Sequence, residues 1–315
     1  MQNNQKIIAI FGGGGFLGKH LLRELTKLDY RIKIATRNPY LKGYLKPLGD
    51  PGQIELFKTN IFDSGDVKKV LTNCDFAINL VGILYETRRQ KFSEVHAQFP
   101  NLLSNLCNEI GIKNLIHVSA LGVKEKHVSQ YMKSKLQGEK NIQEIFRPSV
   151  ILRPSVFFGN EDKFFNTFAS LAQISPVLPL IGGGRTKFAP IYVGDVAKAI
   201  VKALNLNNSE PRIYELGGPK NYSFKELMEI LLIEIKKKRF LMPIPFSVAK
   251  FQSYFLQILP NPLLTPDQVE ILKHNNIVSG DYPTLQDLGI TATKLETILP
   301  KFLWRHRSGG QFNKD

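Results

Sequence analysis

Short apolar runs alternate with helix-like stretches over the first two thirds of the chain. The run KIIAIF is followed by Leu17, Leu21, Leu25 and Leu28, which recur at helical spacing. Strands that alternate with helices form βαβ units, so the pattern predicts an α/β fold with a doubly wound parallel Rossmann sheet of about seven strands. The predicted strands cover 6–11, 31–36, 54–60, 75–82, 114–120, 150–156 and 212–218. The predicted helices include 63–71 and a long one at about 93–110.

The pattern becomes less regular after residue 158. A clean amphipathic helix is predicted at 221–235, where Ser223 and Glu226 have the spacing of a capping box. We therefore expect a smaller C-terminal substrate or cap domain beside the Rossmann domain. The predicted division is a dinucleotide-binding domain at 1–158 with 189–218 returning to it, a cap region at 159–188 and 219–305, and a tail at 306–315.

The charge of the chain bears on its partners. Among 315 residues there are 42 Lys and Arg against 27 Asp and Glu, a net charge of +15. Such a surface attracts polyanions, so nucleic acid, anionic lipid and acidic proteins are all open as partners. A lysine-rich proteome gives the same charge without any such partner. Because the basic residues are scattered and no nucleic-acid-binding motif is present, no specific nucleic acid is expected.

Cysteine usage and targeting signals bear on the compartment. Cys74 and Cys107 form no CxxC pair and have no histidine at zinc-site spacing, so neither a disulfide framework nor a metal site is expected. MQNNQK lacks the apolar core of a signal peptide and is too short for a transit peptide. No apolar run reaches the ~20 residues of a membrane span. We expect a protein of the bacterial cytoplasm, peripheral on the inner membrane, or one on the mitochondrial matrix side if the source is eukaryotic.

The strongest local signal is the stretch IFGGGGFLGKHLL. Gly12, Gly15 and Gly18 stand three apart between a predicted strand and a predicted helix, which is the context of a dinucleotide-binding loop; a flexible loop or a glycine C-cap is the alternative. The glycines permit a sharp turn, a close approach of backbone N–H groups to a pyrophosphate, and close packing of helix on sheet. The helix amino terminus then faces the phosphates with partial positive charge. The predicted contacts are Gly12, Gly14, Gly15, Phe16, Leu17 and Gly18.

The residue after the second predicted strand selects the cofactor. NAD-binding folds usually place an acidic residue there to hold the ribose 2′-hydroxyl. This chain has Arg37 and no acid beside it, and a guanidinium suits a 2′-phosphate. NADP(H) is therefore favoured over NAD(H), with a solvated arginine beside a turn as the alternative. The ends of the third and fourth strands, where Asn and Gly are also ordinary turn residues, add Asn60, Ile61, Asn79, Val81 and Gly82 to the predicted cofactor contacts.

A serine, a tyrosine and a lysine form a candidate catalytic set. Tyr131 and Lys135 stand four apart, which places both side chains on one face of a helix. An ammonium near a phenol favours the phenolate, and a tyrosine with a lowered pKa serves as general acid or base between carbonyl and alcohol. Ser119 ends the fifth predicted strand, where its hydroxyl can bind a substrate oxygen. The Tyr-x-x-x-Lys spacing alone arises by chance, but with Ser119 and the glycine loop it predicts a catalytic site.

These residues resemble the extended and atypical short-chain dehydrogenase/reductase superfamily. The resemblance is carried by GGGGFLG, Ser119, YMKSK, LRPSVFFG, YVGDVAKAI and YELGGP. It implies that Tyr131 and Lys135 are catalytic and that Lys135 also holds the nicotinamide ribose. It further implies that the Arg-Pro-Ser segment lines the nicotinamide pocket, which adds Pro154, Ser155 and Val156 to the predicted cofactor contacts.

A closer resemblance covers nearly the whole chain. The stretches HVSALGV, FGNEDKFFNTFAS, IYVGDV, DLGITATKLE and WRHR look like the short-chain-dehydrogenase-like, nucleotide-binding accessory subunit of respiratory complex I and its bacterial relatives. The branch also contains relatives linked to ubiquinone biosynthesis. The resemblance implies a firmly bound NADP(H) that is largely structural, a peripheral position beside the membrane, and complex I peripheral-arm subunits as partners.

The segment 236–264 raises the question of a membrane surface. The apolar stretch 240–264 follows the basic run KKKR, and prolines on both sides limit any helix within it to about four turns, too short to span a bilayer. The segment is predicted either to be core of the cap region or to lie against an anionic membrane or a partner. Both can hold if one face of the segment packs as core and the other contacts the membrane or the partner.

Two functions therefore remain open. The first is an accessory or assembly subunit of NADH:ubiquinone oxidoreductase (complex I) that holds NADP(H) without turning it over. The alternative is a catalytically active NADP-dependent oxidoreductase or epimerase, in quinone metabolism such as ubiquinone biosynthesis, because the set Ser119, Tyr131 and Lys135 is complete.

Overall fold

The first half of the chain alternates strands and helices. The computed structural model describes residues 5–206 and 210–307. In chain order the first elements are β1 (Lys6–Phe11), α1 (Phe16–Leu25), β2 (Tyr30–Thr36), β3 (Ile54–Lys58), α2 (Ser64–Leu71), β4 (Phe76–Asn79), α3 (Phe99–Ile110), β5 (Asn114–Val118), α4 (Gln130–Ile145) and β6 (Ser149–Pro154). A 3₁₀ helix at Tyr40–Leu48 precedes β3, and a π-helical turn at Glu94–Gln98 precedes α3.

The second half contains shorter elements. These are β7 (Phe157–Phe158), α5 (Phe164–Ile174), β8 (Val177–Ile181), β9 (Lys187–Phe188), β10 (Ile191–Tyr192), α6 (Val193–Leu204), β11 (Arg212–Leu216), β12 (Tyr222–Ser223), α7 (Phe224–Glu234), β13 (Phe240–Ile244), α8 (Phe246–Leu256), α9 (Pro266–Leu272), α10 (Leu295–Ile298) and α11 (Pro300–Leu303). Of the predicted tail 306–315, residues 308–315 lie outside the described residues.

Seven strands form a single parallel sheet in the order β11-β6-β5-β4-β1-β2-β3. All seven predicted strands lie in this sheet, so the predicted fold class is confirmed. The predicted fourth strand at 75–82 is too long, because the chain leaves the sheet after Asn79. Leu28 was also predicted to continue the first helix, but α1 ends at Leu25 and Leu28 is 39% exposed.

Hydrophobic cores lie on both faces of the sheet. On one face, Leu21 and Leu22 of α1 pack with Val196 and Ile200 of α6, all fully buried. The other face is covered by α2, α3 and α4 through a separate cluster that includes Phe99. Because successive strand residues point to opposite faces, a strand covered on both sides is apolar along its covered length, as β1 is after the exposed Lys6. Each fully buried large side chain contributes about 1.5–3 kcal/mol.

A further hydrophobic cluster lies outside the sheet and involves α5, α7, β8 and α11. It is centred on side chains such as Phe165 and Leu227, both fully buried. The predicted capping box of α7 is confirmed, since the Ser223 hydroxyl accepts a hydrogen bond from the Glu226 N–H and the Glu226 carboxylate accepts one from the Ser223 N–H. This cap fixes where the helix begins and therefore which face it presents to the cluster.

The helix α8 divides its residues between core and solvent. Its inner face packs through Ala249, which joins Ile181 and Val269 in a small cluster. On its outer face, large apolar side chains stay exposed, with Phe251 at 66% and Phe255 at 62%. Burial of this segment as core is therefore wrong for the outer face and right for the inner one. Across 5–206 and 210–307, no helix has the length and apolar character needed to cross a bilayer.

Candidate functional site

The site lies where the strand order of the sheet reverses. The chain passes from β1 outward to β2 and β3, and later elements continue from β4 on the other side of β1. At such a point the loops after two neighbouring strands separate, and a crevice opens outside their carboxyl ends. Here those loops begin at Gly12 and Leu80, and the Leu80 N–H donates to the carbonyl of Phe11 at 2.9 Å.

The glycine loop is shaped by close backbone contacts. Gly12 has a φ of +84°, and a Cβ there would lie 3.0 Å from the backbone carbon of Leu80. Gly15 stands just before α1, and its N–H donates to the Gly12 carbonyl at 3.1 Å. A Cβ on Gly18 would overlap the carbonyl of Gly13. Gly18 was predicted to bring the helix close to the sheet, but its close neighbour is the loop itself.

The two residues after the loop have different environments. Leu17 is buried in the core beneath α1, so its side chain holds the helix. Phe16 is half-buried, and its ring packs edge-on against Phe157 with centroids 6.5 Å apart. Phe16 thus lies between the glycine loop and the segment after β6.

The end of β2 presents cations rather than acids. Arg37 is exposed and follows β2 directly. A second cation that the sequence reasoning missed, Lys42, reaches back from the 3₁₀ helix and donates to the Gly14 carbonyl at 3.0 Å. No periodicity or motif in the sequence singles out Lys42, because the contact depends on how the 3₁₀ helix folds over the loop.

The predicted contacts after β3 are partly engaged in local structure. The Asn60 side-chain oxygen accepts from the Phe62 N–H at 3.2 Å, and the Asn60 N–H donates to Asp66 at 2.8 Å. Asn60 itself is exposed, whereas Ile61 is half-buried against the core. These hydrogen bonds fix the Asn60 side chain within the turn that follows β3.

Asn79 is fully buried and supports the loop from below. Its oxygen accepts from the Val81 N–H at 3.0 Å, and its amide nitrogen lies 3.0 Å from His117 Nδ1. Both polar atoms of the Asn79 side chain are therefore used inside the protein, and the predicted cofactor contact at Asn79 stays a prediction. Gly82 is exposed and presents the backbone of this loop.

Lys135 and Ser119 meet beneath the Gly82 loop. Lys135 is 3% exposed, and its Nζ donates to the carbonyl of Val118 at 3.1 Å. Burial lowers the pKa of Lys135 to about 8. The adjacent Ser119 hydroxyl is buried and has no hydrogen-bond partner among the described residues. An unsatisfied buried hydroxyl costs about 1–3 kcal/mol, so this atom is suited to an external oxygen.

Tyr131 lies in an aromatic pocket. Its ring packs edge-on against His96 with centroids 5.2 Å apart and against Phe92 at 5.7 Å. Burial, and then the charge of Asp267, raises the pKa of Tyr131 to about 12. The prediction of a lowered pKa is wrong for the protein alone, since burial destabilises the charged phenolate and the Asp267 carboxylate adds a like charge. Tyr131 therefore keeps its proton at neutral pH.

Two buried histidines complete the surroundings. His96 Nε2 accepts from the Ile83 N–H at 3.0 Å, and its Nδ1 lies 3.0 Å from the Ser134 hydroxyl, which itself donates to the Tyr131 carbonyl. These partners assign the proton of neutral His96 to Nδ1. Burial lowers its pKa to about 2, and it also keeps the pKa of His117 well below 6.5. His117 Nε2 has no partner within the described residues.

The helix that carries Tyr131 is anchored from a distant part of the chain. The Asp267 carboxylate accepts from the Ser129 hydroxyl at 2.8 Å, the Gln130 N–H at 2.6 Å and the Tyr131 N–H at 3.1 Å. A carboxylate at this position satisfies free N–H groups and complements the partial positive charge of the helix amino terminus. Nothing in the sequence indicates this pairing across 136 to 138 residues.

The segment after β6 is tied to a loop of the C-terminal region. Pro154 ends β6 and is buried, and Val156 is half-buried against the cluster around α5. The Ser155 hydroxyl lies 2.6 Å from the Asn276 side-chain oxygen. The Ser155 hydroxyl thus donates to Asn276 and the Ser155 N–H donates to the Leu216 carbonyl at 2.9 Å, so the predicted cofactor contact of Ser155 stays a prediction.

A nicotinamide dinucleotide fits this arrangement. The crevice offers a side-chain-free loop at the amino terminus of α1, which receives phosphate well. Arg37 and Lys42 stand on the side of β2, and the unpartnered Ser119 hydroxyl stands on the side of β5. The two groups are at opposite ends of the crevice, as a dinucleotide's adenosine and nicotinamide halves require.

Comparison with known proteins agrees with this geometry. The model of the NAD dependent epimerase/dehydratase family matches residues 8–217. The mitochondrial NADH dehydrogenase (ubiquinone) 1 alpha subcomplex subunit 9 of Arabidopsis thaliana is 33% identical, over 96% of this chain and 79% of its own. The subunit of the same name from Mus musculus is 31% identical, over 96% and 81%.

A solved structure shares the fold at low identity. It is DesIV, the dTDP-glucose 4,6-dehydratase of Streptomyces venezuelae with NAD and TYD bound. It superposes with a TM-score of 0.71 and 17% identity, over 94% of this chain and 95% of that chain.

Proposed function

The chain belongs to the NAD dependent epimerase/dehydratase family, and from this premise we propose that it is an NADP(H)-binding accessory subunit of respiratory complex I. The observation that carries the proposal is similarity along 96% of the chain to proteins named as subunits of NADH dehydrogenase (ubiquinone). The exposed apolar face of α8 supports it, because contiguous exposed apolar surface marks a place where another molecule binds.

The cofactor in this proposal is held by the glycine loop and the loop after β4. Gly12, Gly15 and Gly82 present backbone to the diphosphate, and Lys135 stands beneath the nicotinamide ribose. Arg37 favours the 2′-phosphate of NADP(H) over the hydroxyl of NAD(H). When bound, a nicotinamide dinucleotide supplies a hydride donor or acceptor.

The proposed role of the cofactor is structural. Tyr131 keeps its proton up to high pH, which disfavours it as a general base. Its ring packs edge-on against the rings of Phe92 and His96. A bound cofactor then stabilises the fold by mass action, since it binds the native state alone.

A purification experiment tests the proposal. The tagged chain, expressed in its own source organism, is isolated in mild detergent, and both its partners and its released ligand are identified by mass spectrometry. We expect subunits of the complex I peripheral arm together with NADP(H) that resists oxidation and reduction in place. Isolation without any complex I subunit contradicts the accessory role, and a protein without dinucleotide contradicts the cofactor.

A second candidate function is a working NADP-dependent oxidoreductase or epimerase, including one in ubiquinone biosynthesis. The unpartnered Ser119 hydroxyl favours it, because a buried donor without a partner is suited to a substrate oxygen. In this mechanism Ser119 orients the oxygen, Tyr131 donates the proton and Lys135 holds the ribose. Tyr131→Phe should then abolish the function of the protein in vivo while the cofactor stays bound. A variant that functions as the wild type does contradicts this mechanism.

We also propose that 236–264 lies against an anionic membrane surface beside the complex. The outer face of α8 exposes Phe251 and Phe255, and Ile258, just after the helix, is 79% exposed. The basic run 236–239 lies just before β13, and apolar side chains beside lysines suit a headgroup region. In this proposal the protein lies in the bacterial cytoplasm, peripheral on the inner membrane, or on the matrix side if the source is eukaryotic. No specific nucleic acid is part of the proposal.

Vesicle binding tests this surface. The protein should float with vesicles that contain phosphatidylglycerol and stay behind with pure phosphatidylcholine. Phe251→Ser with Phe255→Ser should abolish flotation, whereas Leu41→Ser, which changes a 71% exposed side chain after β2, should not. Equal flotation of all three proteins contradicts the membrane contact.

The domain division remains part of the proposal. We infer a Rossmann domain at 1–158 with 189–218 and a cap region at 159–188 with 219–305. Separate hydrophobic clusters support it, one on each face of the sheet and another among α5, α7 and α11, although Leu285, Leu288 and Ile290 of the proposed cap region pack with the sheet.

A further inference from the structure

Lys42 occupies an unusual position for a lysine on a strongly basic chain. It belongs to the 3₁₀ helix after β2, yet its side chain turns back across the glycine loop. Its Nζ donates to the Gly14 carbonyl at 3.0 Å and lies 3.4 Å from the Tyr44 hydroxyl. The ammonium is 5.7 Å from the centre of the Tyr44 ring, within cation–π range.

The loop is built to admit this side chain. A Cβ added to Gly14 would lie 2.9 Å from Cε and 3.0 Å from Cδ of Lys42. Gly14 has no positive φ, so the turn itself does not demand glycine at this position. The absence of a side chain at Gly14 therefore serves the passage of Lys42 over the loop.

The charge of Lys42 lacks an acidic partner in the described part of the chain, and so does that of Arg37. By contrast, Lys19 on α1 pairs with Glu161 at 2.6 Å. Two unneutralised cations thus flank the end of β2, where this fold holds the adenosine ribose. A phosphate oxygen binds an ammonium more strongly than a peptide carbonyl does, because both partners are charged.

We propose that Lys42 is a specificity-determining residue that binds the 2′-phosphate of NADP(H) together with Arg37, and that its contact with the Gly14 carbonyl holds the ammonium ready for that phosphate. This inference rests on the proposed binding of NADP(H). It adds a second cation, carried by the 3₁₀ helix, to the arginine that follows the strand.

The test compares two dinucleotides on one variant. In Lys42→Gln the affinity for NADPH, measured by calorimetry on protein stripped of ligand, should fall about tenfold to a hundredfold. The affinity for NADH should change by less than about twofold, since NADH has no 2′-phosphate. Lys46→Gln, which removes an exposed lysine from the same 3₁₀ helix, should leave both affinities unchanged.

Two further measurements separate recognition from folding. The ratio of NADP(H) to NAD(H) released from purified protein should fall in Lys42→Gln and stay high in Lys42→Arg, which keeps the positive charge. Unfolding of the ligand-free variants by urea should match the wild type.

Each outcome decides the inference. In one outcome, wild type binds NADPH tightly and Lys42→Gln either binds it equally well or loses affinity for NADPH and NADH alike. Lys42 then does not recognise the 2′-phosphate, and the inference fails while the proposed function stands. If wild type binds neither dinucleotide, the proposed cofactor fails and the inference fails with it.

Discussion

At the scale of single residues, the glycine loop shows that similar glycines have different roles. Gly12 provides a left-handed turn, Gly14 leaves room for Lys42, and Gly18 allows the first turn of α1 to touch the loop. The close neighbour of Gly18 is backbone, which cannot move aside as a flexible side chain can. Substitutions at these positions should therefore have unequal costs.

Gly18→Ala should destabilise the protein by about 1–3 kcal/mol, because its methyl group overlaps the carbonyl of Gly13. Urea unfolding followed by circular dichroism measures the change. Gly43→Ala is the matched control, since a Cβ there meets nothing within 4 Å, and it should be neutral or slightly stabilising. Equal stability of the two variants contradicts this account of the loop.

Because of His96, the stability of the folded protein depends on pH in the acidic range. Folded His96 stays neutral down to about pH 2, whereas the unfolded residue binds a proton below about 6.5. The unfolded state thus binds more protons between these values, so stability is complete above pH 6.5 and is lost as the pH falls, by about 1.4 kcal/mol per pH unit.

His96→Gln keeps an acceptor for the Ile83 N–H and removes the titration. The wild-type advantage over this variant in free energy of unfolding should shrink by roughly 2 kcal/mol between pH 7 and pH 5. Urea unfolding at both pH values measures it. A constant difference between the two proteins means that His96 does not stay neutral in the fold.

At the scale of elements, α4 is the component that brings the candidate site together. The sequence places Tyr131 and Lys135 one turn apart, and Ser129 caps the helix by accepting from the Met132 N–H at 3.2 Å. The remaining anchor is Asp267 at the start of α9, which in turn packs beside α8. The exposed face of α8 is thereby connected through α9 to the helix that carries Tyr131.

Asp267→Asn should destabilise the protein by about 1–2 kcal/mol, because a neutral amide offers one acceptor where the carboxylate accepts three hydrogen bonds. Hydrogen exchange should show faster opening at the first turn of α4 than in the rest of that helix. Asp50→Asn, at an exposed aspartate, serves as the control. Unchanged exchange at Gln130 and Tyr131 argues against the anchor.

At the scale of the whole molecule, the region around α8 exposes several large apolar side chains. Large apolar side chains that are each at least 60% exposed are concentrated in 240–263, namely Phe240, Phe251, Phe255, Ile258 and Leu263. Burial of such a face on another molecule releases free energy at about 25 cal/mol per Å². The fold keeps this surface available instead of covering it.

The double substitution Phe251→Ser with Phe255→Ser should leave the free energy of unfolding within about 0.5 kcal/mol, because both side chains already contact water. It should also reduce self-association of the isolated protein at high concentration. Analytical ultracentrifugation and urea unfolding measure the two effects. A large loss of stability indicates that these side chains are packed in solution.

Sequence periodicity predicted the sheet well because its central strands, such as β4, β5 and β6, are buried on both faces and are therefore short, largely apolar runs. It also predicted where Tyr131, Lys135 and the glycine loop lie, since those relations span one turn of helix or one strand-to-helix connection. The elements of the C-terminal region were harder, because short strands such as β9 and β12 are fixed by pairing with distant residues.

The sequence by itself determined the α/β fold, the glycine loop and the spacing of the candidate catalytic residues, because each depends on neighbours within one local unit. The tertiary structure decided that Tyr131 keeps its proton, that Asn79 is buried, that Lys42 crosses Gly14 and that Asp267 anchors α4. These features depend on burial and on groups far apart in the chain. Desolvation and long-range contacts arise only when the elements pack, so the pattern of residues along the chain does not reveal them.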